Sequence, residues 1–299
     1  MLSSPPAAGA AGASEKDSRD GPRGPRRVRS QIHRRAQLRN ADGDLRTRLA
    51  GQALRPMGAL AARDSSAPKS LGLGGPAGYG SFAVVKRIRK LDGALCLEGK
   101  RVLDVGCGNG CYTVELARRA QWVCGLDIQL KHLRAFQTQL PRLQGVGEDL
   151  PFAAETFDVV TMIEVLEHTA SDLGVLRECF RVLRKGGHLA LFVPNKLYPF
   201  ESHPCHFGSL PLGHNIPFVS WLPTFLHRRV SSARIYALRR ITRLASECGF
   251  TVKRIEYIFP PLDSFPLPLK DAYRRVAWCL EESPMRVFGV SIFLLLEKT

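Results

Sequence analysis

The chain has 299 residues, 43 Lys and Arg against 27 Asp and Glu, a formal net charge of +16, and 44% hydrophobic against 23% charged residues. That balance suits one large or two small globular domains with a core that needs no staples, and no apolar run approaches the roughly 20 residues that cross a bilayer. The opening Met1-Leu2-Ser3-Ser4 lacks the basic-then-apolar order of a secretory leader, and eight cysteines without a CxxC pair read as reduced thiols of a cytoplasmic protein.

Residues 1–80 hold 14 Lys and Arg against 6 Asp and Glu, about half of the excess charge in about a quarter of the chain. This stretch is rich in Gly, Ala, Pro, Ser and Arg and has no sustained apolar period, so it is expected to be a disordered basic segment. A transit peptide should be poor in acids, and the six acids count against one. A nucleic-acid-binding arm is disfavoured because basic runs are usually just solvated. The leading reading is upstream sequence ahead of an internal start at Met57.

From Phe82 the pattern becomes regular. Val84–Leu91 alternates basic and apolar residues at helical spacing. Arg101–Gly106 reads as a short buried strand, Cys111–Arg119 as a helix, Trp122–Asp127 as a second strand and Gln129–Gln139 as another helix. Phe157–Ile163 is a further buried strand, and Asp172–Leu183 an amphipathic helix that stops at Lys185-Gly186-Gly187. His188–Val193 is the next strand, closed by Pro194. Strands alternating with helices imply βαβ units on a largely parallel sheet covered on both faces, with a ligand beyond the strand C-termini.

The chemistry starts at Val102-Leu103-Asp104-Val105-Gly106-Cys107-Gly108-Asn109-Gly110. A strand runs through three glycines into a helix, as a tight turn under a closely approaching ligand requires. The spacing is G-x-G-x-G, whereas a dinucleotide fingerprint needs G-x-G-x-x-G, and Cys111 stands in the following position. Asp104 sits where a pyrophosphate would lie and favours a cationic or amino-bearing ligand instead. Asp127, at the end of the second strand, is placed to accept hydrogen bonds from ribose hydroxyls.

From about Phe82 to its end the chain resembles the class I S-adenosylmethionine-dependent methyltransferases, of the small-molecule type called type 11. The matching blocks are Leu103–Gly110, Gly125–Asp127, Glu148–Phe152, Phe157–Val160, Glu164–His168 and Leu183–Gly187. The resemblance implies a Rossmann-like seven-stranded mixed sheet with the last strand antiparallel. It places Asp104, Gly106, Gly108, Asn109 and Gly110 under the methionine part of the cofactor, Asp127 on its ribose, and Ile163 against it. Adenine contacts are implied from Gly147, Glu148 and Asp149. Val146-Gly147 departs from the family's usual Asp-Ala pair there, so any carboxylate on the adenine amine comes from Glu148 or Asp149. Methyltransferases of ubiquinone biosynthesis show a similar Glu-x-x-Glu-His run, associated there with a divalent metal. On that resemblance Glu164, Glu167 and His168 could hold Mg²⁺, with His168 and Glu164 as the catalytic pair. The other reading has the run simply cap the turn beneath the cofactor.

Two stretches fall outside the regular pattern, over 195–230 and 260–285, and are expected to be insertions near the acceptor site, the first forming a lid. His203, Cys205, His206 and His214 cluster in the first, but their spacing matches no zinc motif. His203 or His206 is the second candidate for a base. No acid occurs between Glu201 and Glu247, while Arg228, Arg229, Arg234, Arg239, Arg240 and Arg243 follow the apolar Phe218, Trp221, Phe225 and Leu226. Such a pairing suits a lipid-like acceptor or an anionic membrane surface bound peripherally; an ordinary solvated helix face has the same composition. Ala233–Cys248 reads as a helix, Phe250–Phe259 as a strand and Arg286–Glu297 as a final strand apolar on both faces.

The expected function is methyl transfer to a small-molecule or lipid-like acceptor, most simply O-methylation. The alternatives are an NAD-type oxidoreductase, against which the glycine spacing argues, and a non-catalytic cofactor-binding protein.

Overall fold

The structure is a computed structural model that describes residues 81–208, 210–260 and 267–299. The expected disordered segment over 1–80 and the internal start at Met57 lie outside the described residues.

The first helix, α1 (Phe82–Ala94), begins on Ser81, whose Oγ accepts from the Val84 amide, and it buries Val84, Ile88 and Leu91 on one face. Then follow β1 (Arg101–Val105), α2 (Cys111–Ala117), β2 (Trp122–Asp127), α3 (Leu130–Arg134), β3 (Arg142–Gln144) and β4 (Phe157–Ile163). α4 (Asp172–Val182) starts on the Ser171 side chain and turns Val175, Leu176, Cys179 and Val182 inward. It leads into β5 (Leu183–Pro194). The sheet closes with α6 (Leu238–Glu247), β10 (Phe250–Ile258), α7 (Leu267–Glu282) and β11 (Ser291–Lys298), after an inserted region that contains β6 to β9 and α5.

The seven strands are ordered β10-β11-β5-β4-β1-β2-β3. β1 pairs in parallel with β2 and β4, and β4 with β5, while β11 runs antiparallel between β5 and β10. The alternation of side chains along each strand divides the core into two layers. Val160 and Met162 of β4 join Ile292, Leu294 and Leu296 of β11 under α4 and α6. Val159 and Ile163 join Phe293 and Leu295 on the other side, against Val84, Ile88 and Leu91 of α1. A central strand covered on both faces has no polar side, which is why Ile292–Leu296 is an unbroken apolar run. Each such buried side chain contributes about 1.5–3 kcal/mol.

The structure shortens several expected elements. α3 ends at Arg134 rather than Gln139, because Phe136 drops onto the glycine loop, where a Cβ on Gly110 would lie 2.5 Å from its ring. The helix expected from Ala233 starts at Leu238; the residues before it run alongside Pro194–Lys196 through backbone bonds from Tyr236 to Pro194 and from Lys196 to Tyr236. The last strand starts at Ser291, after a 3₁₀ turn over Pro284–Phe288. The second insertion contains α7, a helix the sequence pattern did not suggest.

The inserted region between β5 and α6 folds on itself. β6 (Phe200–Glu201) pairs with β9 (Ile216–Pro217), and β7 (Cys205–Phe207) pairs with β8 (Leu210–Gly213). α5 (Thr224–Val230) then runs back toward the sheet. Among the described residues no helix is long and apolar enough to cross a membrane.

Candidate active site

The parallel strands β1, β2 and β4 end side by side, and the loop after β1 is shaped by its glycines. Gly106 (φ +73°) and Gly110 (φ +86°) are in the left-handed region that side chains disfavour. A Cβ on Gly106 would fall 2.2 Å from Cγ2 of Val165, the residue before the Leu166–His168 turn. The backbone therefore lies directly against the segment after β4, and only glycine fits there.

Asp127 ends β2 and is mostly buried. Its Oδ2 accepts from the Gly108 amide at 2.9 Å and its Oδ1 from the Gln129 amide at 2.7 Å. Each oxygen keeps a lone pair for a further donor, so this carboxylate fits a ribose diol and also fixes the loop. Asn109 turns its Oδ1 to the Cys111 amide at 3.3 Å, at the start of α2. Asp104 is placed differently from the expectation. Its side chain is buried, with Oδ2 accepting from Thr113 at 2.7 Å and Oδ1 from Thr161 at 2.9 Å. Burial lifts its pKa to about 6 against the lowering effect of those two hydroxyls. It ties β1 to α2 and β4 rather than facing a ligand.

The adenine segment is also partly recast. Glu148 caps the entry to α4, its Oε1 accepting from the amides of Ala170 at 2.8 Å and Ser171 at 3.2 Å. Gly147 packs on Val175, where a Cβ would stand 3.3 Å from its methyls. Asp149 is the exposed carboxylate of this turn. Ile163 ends β4 nearly buried, with its backbone registered on Phe192.

Of Glu164, Glu167 and His168, the last two lie together, while the Glu164 carboxylate is held by α1 and β11. Glu164 has φ +54°, unusual for a residue with a side chain. That turn sends its carboxylate to Arg87 of α1, at 2.7 Å, and to the Ser291 hydroxyl. Burial acts against its ionisation, but Arg87 and Ser291 outweigh it and hold its pKa below the ordinary value. Glu167 is fully buried, and neither of its oxygens meets a hydrogen-bond partner. Burial first, and the neighbouring Glu164 second, push its pKa well above the carboxylate range. His168 is lowered to about 4, by burial and then by His203, and its Nδ1 is buried without a partner.

The residue that joins them is His203, from the insertion. Its Nε2 lies 3.9 Å from Glu167 Oε1, and its ring meets that of His168 edge-on at 5.6 Å between centroids. One ligand atom from each of Glu167, His168 and His203 lies within 4.8 Å of the others, and Glu164 is not in this group. One carboxylate and two imidazoles are not the oxygen-rich set that Mg²⁺ takes, so the expected Mg²⁺ on Glu164, Glu167 and His168 does not fit, and no step is routed through it.

The sequence places Arg234 in a basic cluster. Instead its guanidinium donates to the carbonyls of Leu166 at 2.7 Å and Thr169 at 2.6 Å and pairs with Asp172 at 2.9 Å. It fastens the turn that carries Glu167 and His168. Arg240 pairs with the same Asp172, and Arg243 with Glu247. Arg228, Arg229 and Arg239 remain exposed. Arg87 and Arg234 were not identified as site residues because each acts on a partner distant in sequence; a helix face that is apolar except for one arginine was the only signal for Arg87.

A parallel sheet with an inserted antiparallel final strand, a G-x-G-x-G loop under its end and an acid after β2 make up the fold found in class I S-adenosylmethionine-dependent methyltransferases. Residues 103–191 match the methyltransferase-domain family. The chain is similar to the ubiquinone biosynthesis O-methyltransferases of Vibrio parahaemolyticus, 39% identical over 119 residues (36% of this chain and 48% of the relative), and of Pseudomonas fluorescens, 33% identical over 121 residues (37% and 51%). It thus spans about half the length of the curated relatives it matches. The fold is shared with an S-adenosylmethionine-dependent methyltransferase from Mesorhizobium loti at a TM-score of 0.50 and 18% identity, over 70% of this chain and 96% of that one. The residues present fit the S-adenosyl group the fold implies: beside the glycine loop each Asp127 oxygen accepts one backbone amide and keeps a lone pair for the ribose.

Proposed function

We propose that the protein methylates a hydroxyl oxygen of a small-molecule or lipid-like acceptor, with S-adenosylmethionine as donor. The observation that carries this reading is the convergence of Glu167, His168 and His203 beside the glycine loop, where Val165 touches Gly106. When bound, the donor supplies a methyl carbon activated by a sulfonium. The protein's share is then proximity and a proton acceptor. Asp127 holds the ribose, the glycine loop lies under the methionine part, Asp149 and the Gly147 turn edge the adenine, and Ile163 lines the floor. The imidazoles lie on the side from which the acceptor arrives. The relatives named for ubiquinone biosynthesis O-methylation support an acceptor oxygen.

The surface of the insertion supports an acceptor with an apolar tail. Phe207, Leu210, Phe218, Trp221 and Phe225 are exposed, and Arg228 and Arg229 stand exposed on α5 next to them. Aromatic and aliphatic side chains beside unpaired arginines suit the headgroup level of an anionic bilayer, from which such an acceptor would be taken up. The test is transfer of labelled methyl to a panel of phenols, catechols and amines, each with and without an alkyl tail. Label on oxygen, greatest for tailed acceptors, is the expected result; label on nitrogen alone would overturn it.

A further inference from the structure

We propose that His203 is the general base for the acceptor hydroxyl, and that Glu201, clamped by His227, is the residue that positions it. This rests on the O-methylation reading above and assigns the proton to a residue outside the family-matched region 103–191.

Glu201 and His227 are each 1% exposed. Glu201 Oε1 accepts from the His203 ring at Nδ1, 2.8 Å away, and from the His203 backbone amide at 3.0 Å. Its Oε2 accepts from His227 Nε2 at 2.5 Å. Burial opposes ionisation, but the bonds from both histidines overcome it and hold Glu201 at about 2, so it is an anion at neutral pH. An anionic carboxylate can only accept, so the hydrogen of the His203 ring must be on Nδ1. The lone pair is then on Nε2, which faces Glu167 within the cluster. A carboxylate that fixes the tautomer and stabilises the imidazolium is the usual support for a histidine base.

The insertion holds this pair rigidly. The Asn215 amide donates to the Glu201 carbonyl at 2.6 Å, β6 and β9 register Glu201 on Ile216, and Cys205 bridges to Ser231 just after α5, the helix that carries His227. His168, the first candidate from sequence, has no such support: its nearest carboxylate oxygen is 4.0 Å away, on the buried Glu167. In the step, the bond from the acceptor oxygen to the methyl carbon forms as the carbon–sulfur bond breaks, its electron pair going to sulfur. The hydroxyl proton passes to His203 Nε2, and then to water.

Two measurements on the full chain test this. The first is a long-range ¹H–¹⁵N correlation on histidine-labelled protein with S-adenosylhomocysteine present. His203 should carry its proton on Nδ1, and Glu201→Gln should populate the Nε2–H tautomer. An Nε2–H tautomer in the wild type overturns the proposal, and this wild-type reading decides even if Glu201→Gln fails to fold. The second is methyl transfer to an alkylcatechol probe. His203→Asn should lose about 100-fold or more in kcat, with unchanged affinity for S-adenosylhomocysteine, and His206→Gln should keep the wild-type rate. Wild-type kcat in His203→Asn, or activity lost to a chelator and restored by Zn²⁺, overturns the base assignment. A wild type that binds S-adenosylhomocysteine and methylates no probe overturns the acceptor reading itself, and the base role with it.

Discussion

The two sides of the candidate site are built on different principles. On the β1–β2 side the work is done by backbone: glycines that admit a close approach, amides that bond Asp127, and a sheet buried on both faces. On the side of the insertion it is done by ionisable side chains, in a run from His227 through Glu201 and His203 to Glu167 and His168. The first arrangement specifies shape and tolerates almost no added atom. The second specifies where protons sit and is sensitive to charge. Substitutions should therefore separate the two sides.

The largest effect is expected from Gly106→Ala. Its Cβ would collide with Val165 and the residue would be held at φ +73°, costing about 2–5 kcal/mol in overpacking and left-handed strain. Gly213→Ala, at φ +85° in the insertion but with nothing within 4 Å, should cost only the conformational part, about 1–2 kcal/mol. Denaturant melts of both variants test the contrast; equal losses would show that close approach is not what selects glycine at 106.

Next is the pH dependence of Asp104. Its folded pKa of about 6 exceeds the ordinary 3.8, so the stability it contributes is complete below pH 3.8 and is lost as pH rises to 6. The loss amounts to about 3 kcal/mol at most. Asp104→Asn should thus melt above the wild type at pH 8, and the gap should close toward pH 4. A gap that widens on acidification would contradict the burial that raises the Asp104 pKa.

Asp127→Asn should weaken S-adenosylhomocysteine about tenfold to a hundredfold, the equivalent of about 1.5–3 kcal/mol, and should lower the melting temperature as well, because one of the Gly108 and Gln129 amides loses its acceptor. Unchanged affinity in calorimetry would remove the ribose assignment. The smallest effect belongs to the outer surface. Replacing Arg228, Arg229 and Arg239 with Gln should reduce salt-sensitive sedimentation with anionic vesicles, each side chain contributing about 1 kcal/mol or less. Equal partitioning of the wild type to neutral and anionic vesicles would show that charge plays no part.

The contrast also explains what was legible in the sequence. Trp122–Asp127 and Phe157–Ile163 are strands with the bounds the apolar runs suggest, because a strand covered on both faces has a local signature. The glycine loop is legible for the same reason: its constraint is on backbone within a few residues. The carboxylates were harder. Asp104, Glu148 and Glu164 carry the motif but bond to Thr113 and Thr161, to Ala170 and Ser171, and to Arg87 and Ser291, and nothing in their spacing reveals those partners. His203 could be singled out only as one of several histidines. That it meets Glu167, 36 positions earlier in the chain, depends on how the insertion folds back over β4. The expected run of six arginines dissolved similarly, since Asp172 takes two of them from another helix.

The central claim is that the glycine loop of Gly106 and Gly110, with Asp127, holds an S-adenosyl group. Calorimetric titration of the full chain with S-adenosylhomocysteine and, separately, with NADH tests it most directly. One-to-one binding of S-adenosylhomocysteine, weakened by Asp127→Asn, with no heat from NADH, is the predicted result. Saturable NADH binding that S-adenosylhomocysteine cannot displace would contradict it.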